Sequence, residues 1–198
     1  MAAEVYQWQI VYDGLEDKIW RIAEVSSNYR LDQLGYMVLA AFEAMGNHLF
    51  EFAYGKQRYG FFDDEELDED AGVIFFKLSQ LHLKQGDKLK MTYDFGANHV
   101  FNLELLAVEP MRKGQGKRYP LIVNGAGKGI IEDVCADEVK ELVEQIDMNG
   151  CTDEPIFYPF DCVKWDYRDF DLKVLNALLK GEIERIQEGY LMIDDDYE

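Results

Sequence analysis

The sequence predicts an α+β fold in a single domain spanning residues 1–198, and three features carry that prediction. Alternating apolar residues open the chain as strands, a helical stripe follows them, and helical periodicity returns only late, from about residue 137. Repeating βα units are absent, so the expected architecture is an N-terminal hairpin and helix packed on a mixed or antiparallel sheet.

Residues 5–12 alternate, with Tyr6, Trp8, Ile10 and Tyr12 on one face. Residues 18–25 set Ile19, Arg21, Ala23 and Val25 against Trp20 and Ile22, and the Asp13-Gly14 turn signal between the two runs predicts a hairpin. Leu31, Leu34, Val38, Ala41 and Met45 then form one stripe of a helix, with Asn28 as its N-cap and Gly46 past its end. Residues 48–54 read as a strand with Phe50, Phe52 and Tyr54 on one side. Residues 63–70 hold seven carboxylates in eight positions, whose repulsion predicts a solvated loop.

A short apolar run at 73–76 and a helical turn at 78–83 follow. Residues 88–93 read as a strand, the Asp94-Phe95-Gly96 segment as a turn, and Phe101, Leu103, Leu105 and Ala107 as one face of the next strand. In that turn Phe95 is expected to enter the core, Gly96 to supply a positive φ and Asp94 to accept turn amides. Trp20 is likewise expected to be buried. The basic, Gly-rich stretch 112–118 reads as a mobile loop. Val139, Leu142, Val143 and Ile146 predict a helix capped by Asp137 and ended by Asn149-Gly150. A last helix is expected from residue 170 to about 188, with Leu172, Leu175, Leu179, Ile183 and Ile186 inward. Pro155 and Pro159 mark a connector.

Composition narrows the function classes. A chain that is 48% hydrophobic and 198 residues long can bury roughly 70% of its unfolded surface. With 20 Lys and Arg against 39 Asp and Glu, its net charge of −19 repels phosphate backbones and anionic membranes. Direct nucleic-acid binding is therefore disfavoured. No apolar run approaches the roughly 18 residues of a membrane span, and no signal peptide is visible. Cys135, Cys151 and Cys162 form no close pair, which predicts reduced thiols and a cytoplasmic location.

Motifs that would carry chemistry are incomplete. A serine recombinase needs a serine nucleophile among arginines, and Ser26, Ser27 and Ser79 sit in ordinary turn or helix contexts. Gly125-Ala126-Gly127-Lys128-Gly129 lacks the glycine at Ile122 and the Ser or Thr at Gly129 that a phosphate loop requires, and it lacks a third dinucleotide glycine at Ile130. A tight irregular turn is expected there. An EF-hand starting at Asp64 would need Gly at Glu69 and Glu at Phe75. His48, Asp94 and His99 are the candidate metal ligands, being two imidazoles and a carboxylate near predicted strand ends. No HxxxH or HxH spacing supports them, so no metal or cofactor is expected.

Several segments in order carry a resemblance: Ile19-Trp20-Arg21, His48-Leu49-Phe50-Glu51-Phe52 and Tyr93-Asp94-Phe95-Gly96. Tyr119-Pro120, Asn124-Gly125, Glu132-Asp133, Trp165 and Phe170-Asp171-Leu172 with Asn176 follow at matching places. Over most of its length the chain resembles the plasmid Ri ORF-three-like family, carried by plasmids and insertion elements and often labelled passenger or TnpR proteins. The resemblance implies a single α+β domain. The family usually continues Asp-Phe-Gly with a further Asp, then a Trp and a His, whereas Ala97, His99 and Phe101 stand here. Ile130-Ile131 replaces a usual pair of prolines, and of the nearby cysteines only Cys135 remains.

The resulting expectation is a non-enzymatic cytoplasmic binding or adaptor domain with a protein partner, acting through an aromatic groove and an acidic surface. Trp20, Arg21, Phe95 and Trp165 are its expected binding residues. One alternative is a divergent metal- or carboxylate-dependent hydrolase built on His48, Glu51 and Asp94. Another is an acidic regulator of a nucleic-acid protein, with residues 63–70 mimicking phosphate.

Overall fold

A computed structural model describes residues 3–61, 71–154 and 164–195. The acidic stretch 63–70, Pro155, Pro159 and Cys162 lie outside them, and so does the solvated-loop expectation. Among the described residues eight strands form one sheet: β1 (Glu4–Tyr12), β2 (Trp20–Ser26), β3 (Phe50–Tyr54), β4 (Gln57–Gly60), β5 (Ala71–Val73), β6 (Lys88–Tyr93), β7 (His99–Pro110) and β8 (Leu121–Ala126). Their spatial order is β5-β4-β3-β6-β7-β1-β2-β8. Every described pairing is antiparallel except β4 with β5, which makes the sheet mixed, as the sequence predicts.

The hairpin forms as its alternation requires. Trp8, Ile10 and Tyr12 of β1 and Arg21, Ala23 and Val25 of β2 are buried on one face, while Trp20 and Ile22 turn to the other and are only half-buried. The expectation that Trp20 is a core residue therefore fails: its alternation partner Arg21 occupies the inward position. Helix α1 (Leu31–Ala41) lies against the inner face. It starts at Arg30 rather than Asn28, with the Arg30 backbone N–H donating to Gln33 Oε1 at 3.0 Å and its guanidinium gripping buried Asp32. It also stops before Met45, whose backbone is committed to a loop contact described below.

Gly35 explains how closely α1 sits on the sheet, since a Cβ there would stand 2.2 Å from the buried Phe50 ring. Helix α2 (Ala136–Asn149) buries Val139, Leu142, Val143 and Ile146 and ends at Gly150 in the left-handed conformation, as expected. Its N-cap is Cys135; Asp137 instead lies in the first turn, where it complements the helix dipole. Helix α3 (Leu172–Asp195) runs beyond the expected end and buries Leu179, Ile183, Ile186 and Tyr190. Asp171 caps it, accepting hydrogen bonds from the Lys173 and Val174 backbone N–H groups.

Three further sequence expectations need correction. The irregular turn expected over residues 125–129 begins only at Gly127, with φ of 76°, because Gly125 and Ala126 still pair along β2 through register partners such as Arg21 with Gly125. Residues 116–118 form a short 3-10 turn inside the basic stretch. In the β6–β7 turn, Phe95 is 57% exposed, and Asp94 and Asn98 rather than Gly96 carry the positive φ. Asp94 does accept the Gly96 and Ala97 amides, as predicted. With the turn closed by these polar bonds, Phe95 is projected outward.

Among the described residues, no helix is long and apolar enough to cross a membrane.

Candidate functional site

Two neighbouring features carry the polar chemistry and the open surface, and the segment from Glu43 to His48 joins them, since Glu43, Ala44 and Met45 line the one and His48 centres the other. The first is a cluster around His48, just before β3. Its Nε2 lies 3.4 Å from Asp94 Oδ2 in the β6–β7 turn, 3.6 Å from Asp133 Oδ1 and 3.8 Å from Glu132 Oε1 in the β8–α2 connection. Asp94 and Asp133 both hold left-handed backbone, with φ of 50° and 61°, which aspartate tolerates better than most residues. Glu132 is buried, and its carboxylate accepts hydrogen bonds from the Tyr93 hydroxyl and from the Met45 backbone N–H, the latter at 2.9 Å. Burial, then the bond and charge of Glu132, hold the Tyr93 phenol well above its usual range.

His99 backs this cluster. Its ring stacks on Tyr93 with centroids 6.2 Å apart, and its Nδ1 lies 2.8 Å from the Tyr12 hydroxyl. Burial pushes the His99 imidazole down to about 4, so it stays neutral near pH 7. His48, Asp94 and His99 thus come into one neighbourhood, as their placement at strand ends anticipates. Among the described residues, however, no three His, Cys, Asp or Glu side chains are arranged to hold a metal ion.

Glu51 does not join them. It stands on the opposite face of β3 from Phe50 and Phe52, and its carboxylate receives Arg58 at 2.6 Å. Conversely, Glu132, Asp133 and Tyr93 were absent from the sequence-based candidates. The available signal was an acidic pair directly following Ile130-Ile131, because an apolar run places the carboxylates beside it at the edge of the core.

The second feature is a groove of about 640 Å³ between the end of α1 and α3. Ala40, Ala44, Leu175 and Leu179 line it, and Val174 and Leu178, 55% and 58% exposed, stand on its α3 side. At one end lies the fully buried Arg21 guanidinium, flanked by the Phe42 and Phe170 rings at 4.8 and 4.2 Å. Its Nε donates to Ala41 O at 2.9 Å and its Nη1 to Trp20 O and Ala126 O, so this cation also ties α1 to β2 and β8.

Of the four expected binding residues, only Arg21 lines this groove. Trp165 is fully buried and donates its indole N–H to Gly129 O at 3.3 Å, Trp20 lies on the outer sheet face, and Phe95 projects from the β6–β7 turn. The aromatic groove is thus not assembled from those four residues. Val174 and Leu178 were legible as apolar positions four apart that fall outside the inward stripe of α3.

The architecture defines an α+β protein with helices on the inner face of a mixed eight-stranded sheet, carrying a His-carboxylate cluster beside an apolar groove. The family model described as plasmid pRiA4b ORF-3-like protein matches residues 4–177, and the chain belongs to that family. The fold is similar to the crystal structure of MM3350, a protein of unknown function from Methanosarcina mazei Go1. That similarity has a TM-score of 0.69 at 23% identity and covers 88% of this chain and 98% of the other. No curated protein matches the sequence.

Proposed function

We propose that this member of the family is a non-enzymatic cytoplasmic binding domain that receives an apolar segment of a protein partner in the α1–α3 groove. The observation that carries the reading is the exposure of Val174 and Leu178 beside a cavity with an apolar floor. Large apolar side chains left in water next to a concavity are the usual mark of a surface that is covered in use. Free, exposed Cys135 and Cys151 are compatible with a reducing compartment. Selection of displayed random peptides on the purified protein tests the reading. Selected peptides should lose at least about tenfold in affinity for Leu178→Asp, since a charge replaces a buried contact. Peptides that bind this variant and the parent equally would remove the groove from consideration.

A second reading, a carboxylate-assisted hydrolase, is favoured by one observation: His48 Nε2 stands within 4 Å of three carboxylates. An imidazole oriented by a carboxylate is a general-base arrangement. Turnover of ester or phosphoester substrates, lost in His48→Ala and Asp94→Asn without a change in melting, would support it. Turnover retained by both variants would exclude this cluster as its origin.

A further inference from the structure

We infer that the partner covering the exposed face of α3 is a second copy of this chain, paired antiparallel about a two-fold axis near Leu178. This inference rests on reading the groove as a binding surface and names its occupant.

Helical spacing places Val174, Leu178, Gly181 and Arg185 along one stripe of α3, and all four are exposed. An isologous pair sets each residue against one equally far on the other side of the axis. Leu178 then meets its own copy, and Val174, four residues before the axis, falls close to Gly181, three after it, where no side chain obstructs approach and nothing stands within 4 Å of an added Cβ.

Charge favours the same register. On one flank of the stripe, Lys173 precedes the axis by about as many residues as Glu184 follows it, so each Lys173 opposes the other copy's Glu184. Along the stripe itself, Asp171 precedes the axis by as many residues as Arg185 follows it, so the Arg185 guanidinium, which also bonds Glu182 and the Met45 carbonyl, lies toward the other copy's Asp171. A parallel pairing would oppose each of these charges to its own like. The net charge of −19 acts against self-association, but charges farther apart than about 8 Å are screened at physiological salt, so the contacts near the axis decide. A contact confined to one exposed helical stripe gives a weak dimer that depends on concentration.

Lys173 and Glu184 are exposed and line neither the groove nor the His48 cluster, so reversing them leaves both intact. Sedimentation equilibrium from roughly 10 μM to 1 mM at physiological salt tests the pairing, with peptide binding followed in parallel. The expected result is a dimer that Leu178→Asp abolishes at unchanged helicity and melting. Lys173→Glu and Glu184→Lys should each weaken it about tenfold, because each reversal acts twice across the axis. The double variant should recover the parental constant, and an equimolar mixture of the two single variants should associate. A protein that stays monomeric throughout, or a dimer indifferent to all these changes, overturns the inference. If selected peptides still bind the groove in that case, the binding-domain reading stands and only the second copy is refuted.

Discussion

Asn176 closes the outer edge of the sheet by pairing its side-chain amide with both backbone groups of Ile122. The Ile122 N–H donates to Asn176 Oδ1 at 3.0 Å, and Asn176 Nδ2 donates to Ile122 O at 2.7 Å. Among the described residues strand β8 is the last strand on that side, so its outward backbone groups would otherwise offer a template to another strand. A carboxamide presents a donor and an acceptor side by side, as the next strand would.

Asn176→Ala should cost about 1–3 kcal/mol, because two partly buried backbone groups lose their partners. Asn176→Asp should cost at least as much, since a carboxylate cannot donate to Ile122 O. Urea unfolding measures the loss, and light scattering on standing should report faster aggregation for both variants. An alanine variant with parental stability would show that the edge is satisfied in another way.

Tyr93→Phe tests the cluster around Glu132. The hydroxyl accepts from the Asn47 N–H at 3.1 Å while donating to Glu132, so its removal strips a partner from a buried carboxylate. A loss of about 1.5–3 kcal/mol is expected by chemical denaturation, the range for hydrogen bonds to charged groups.

His99 gives a pH dependence with a definite sign. Its folded value of about 4 lies below the ordinary 6.5, so between these values the unfolded chain binds the proton that the fold refuses. The contribution is therefore complete above pH 6.5 and is lost as pH falls toward 4, amounting to roughly 3 kcal/mol across that window. Replacement by Phe should flatten this part of the stability profile relative to the parent. An unchanged slope would assign the acid sensitivity to other groups.

Gly35→Ala sets helix propensity against packing. Alanine favours the helix by about 1 kcal/mol, but its Cβ would overlap the Phe50 ring, which is buried and held from several sides by Tyr36, Phe52, Phe61 and Tyr190. Overpacking should win, with a net loss of about 1–3 kcal/mol by thermal or urea melting. Adding Phe50→Leu should recover part of it, because the smaller side chain leaves room for the methyl group.

Trp165→Ala should destabilise the protein by about 3–5 kcal/mol, whereas Phe95→Ala should stay within about 0.5 kcal/mol of the parent. Comparing their melting curves checks a distinction that composition alone cannot make, since both are large aromatic residues.

Local pattern was enough to determine the hairpin, the inward face of β1, helix α1 and the inward stripe of α3. Each follows from residues within a few positions of one another, and periods of 2 and 3.6 are visible in the chain itself. Arg21 illustrates the limit: its alternation with Trp20 was legible, yet a charged residue inside and a tryptophan half outside require carbonyls from Ala41 and Ala126, which only the fold brings near. Phe95 shows the same limit, because hydrophobicity predicted burial while the polar closure of its turn directed it outward. The His48 cluster was the least legible, for Glu132 and Asp133 reach His48 across more than 80 residues. What the tertiary structure alone decided was the strand order that sets these distant loops side by side, and the meeting of α1 with α3 that makes the groove. Both depend on long-range pairing of backbone and core, for which no short window of sequence holds a record.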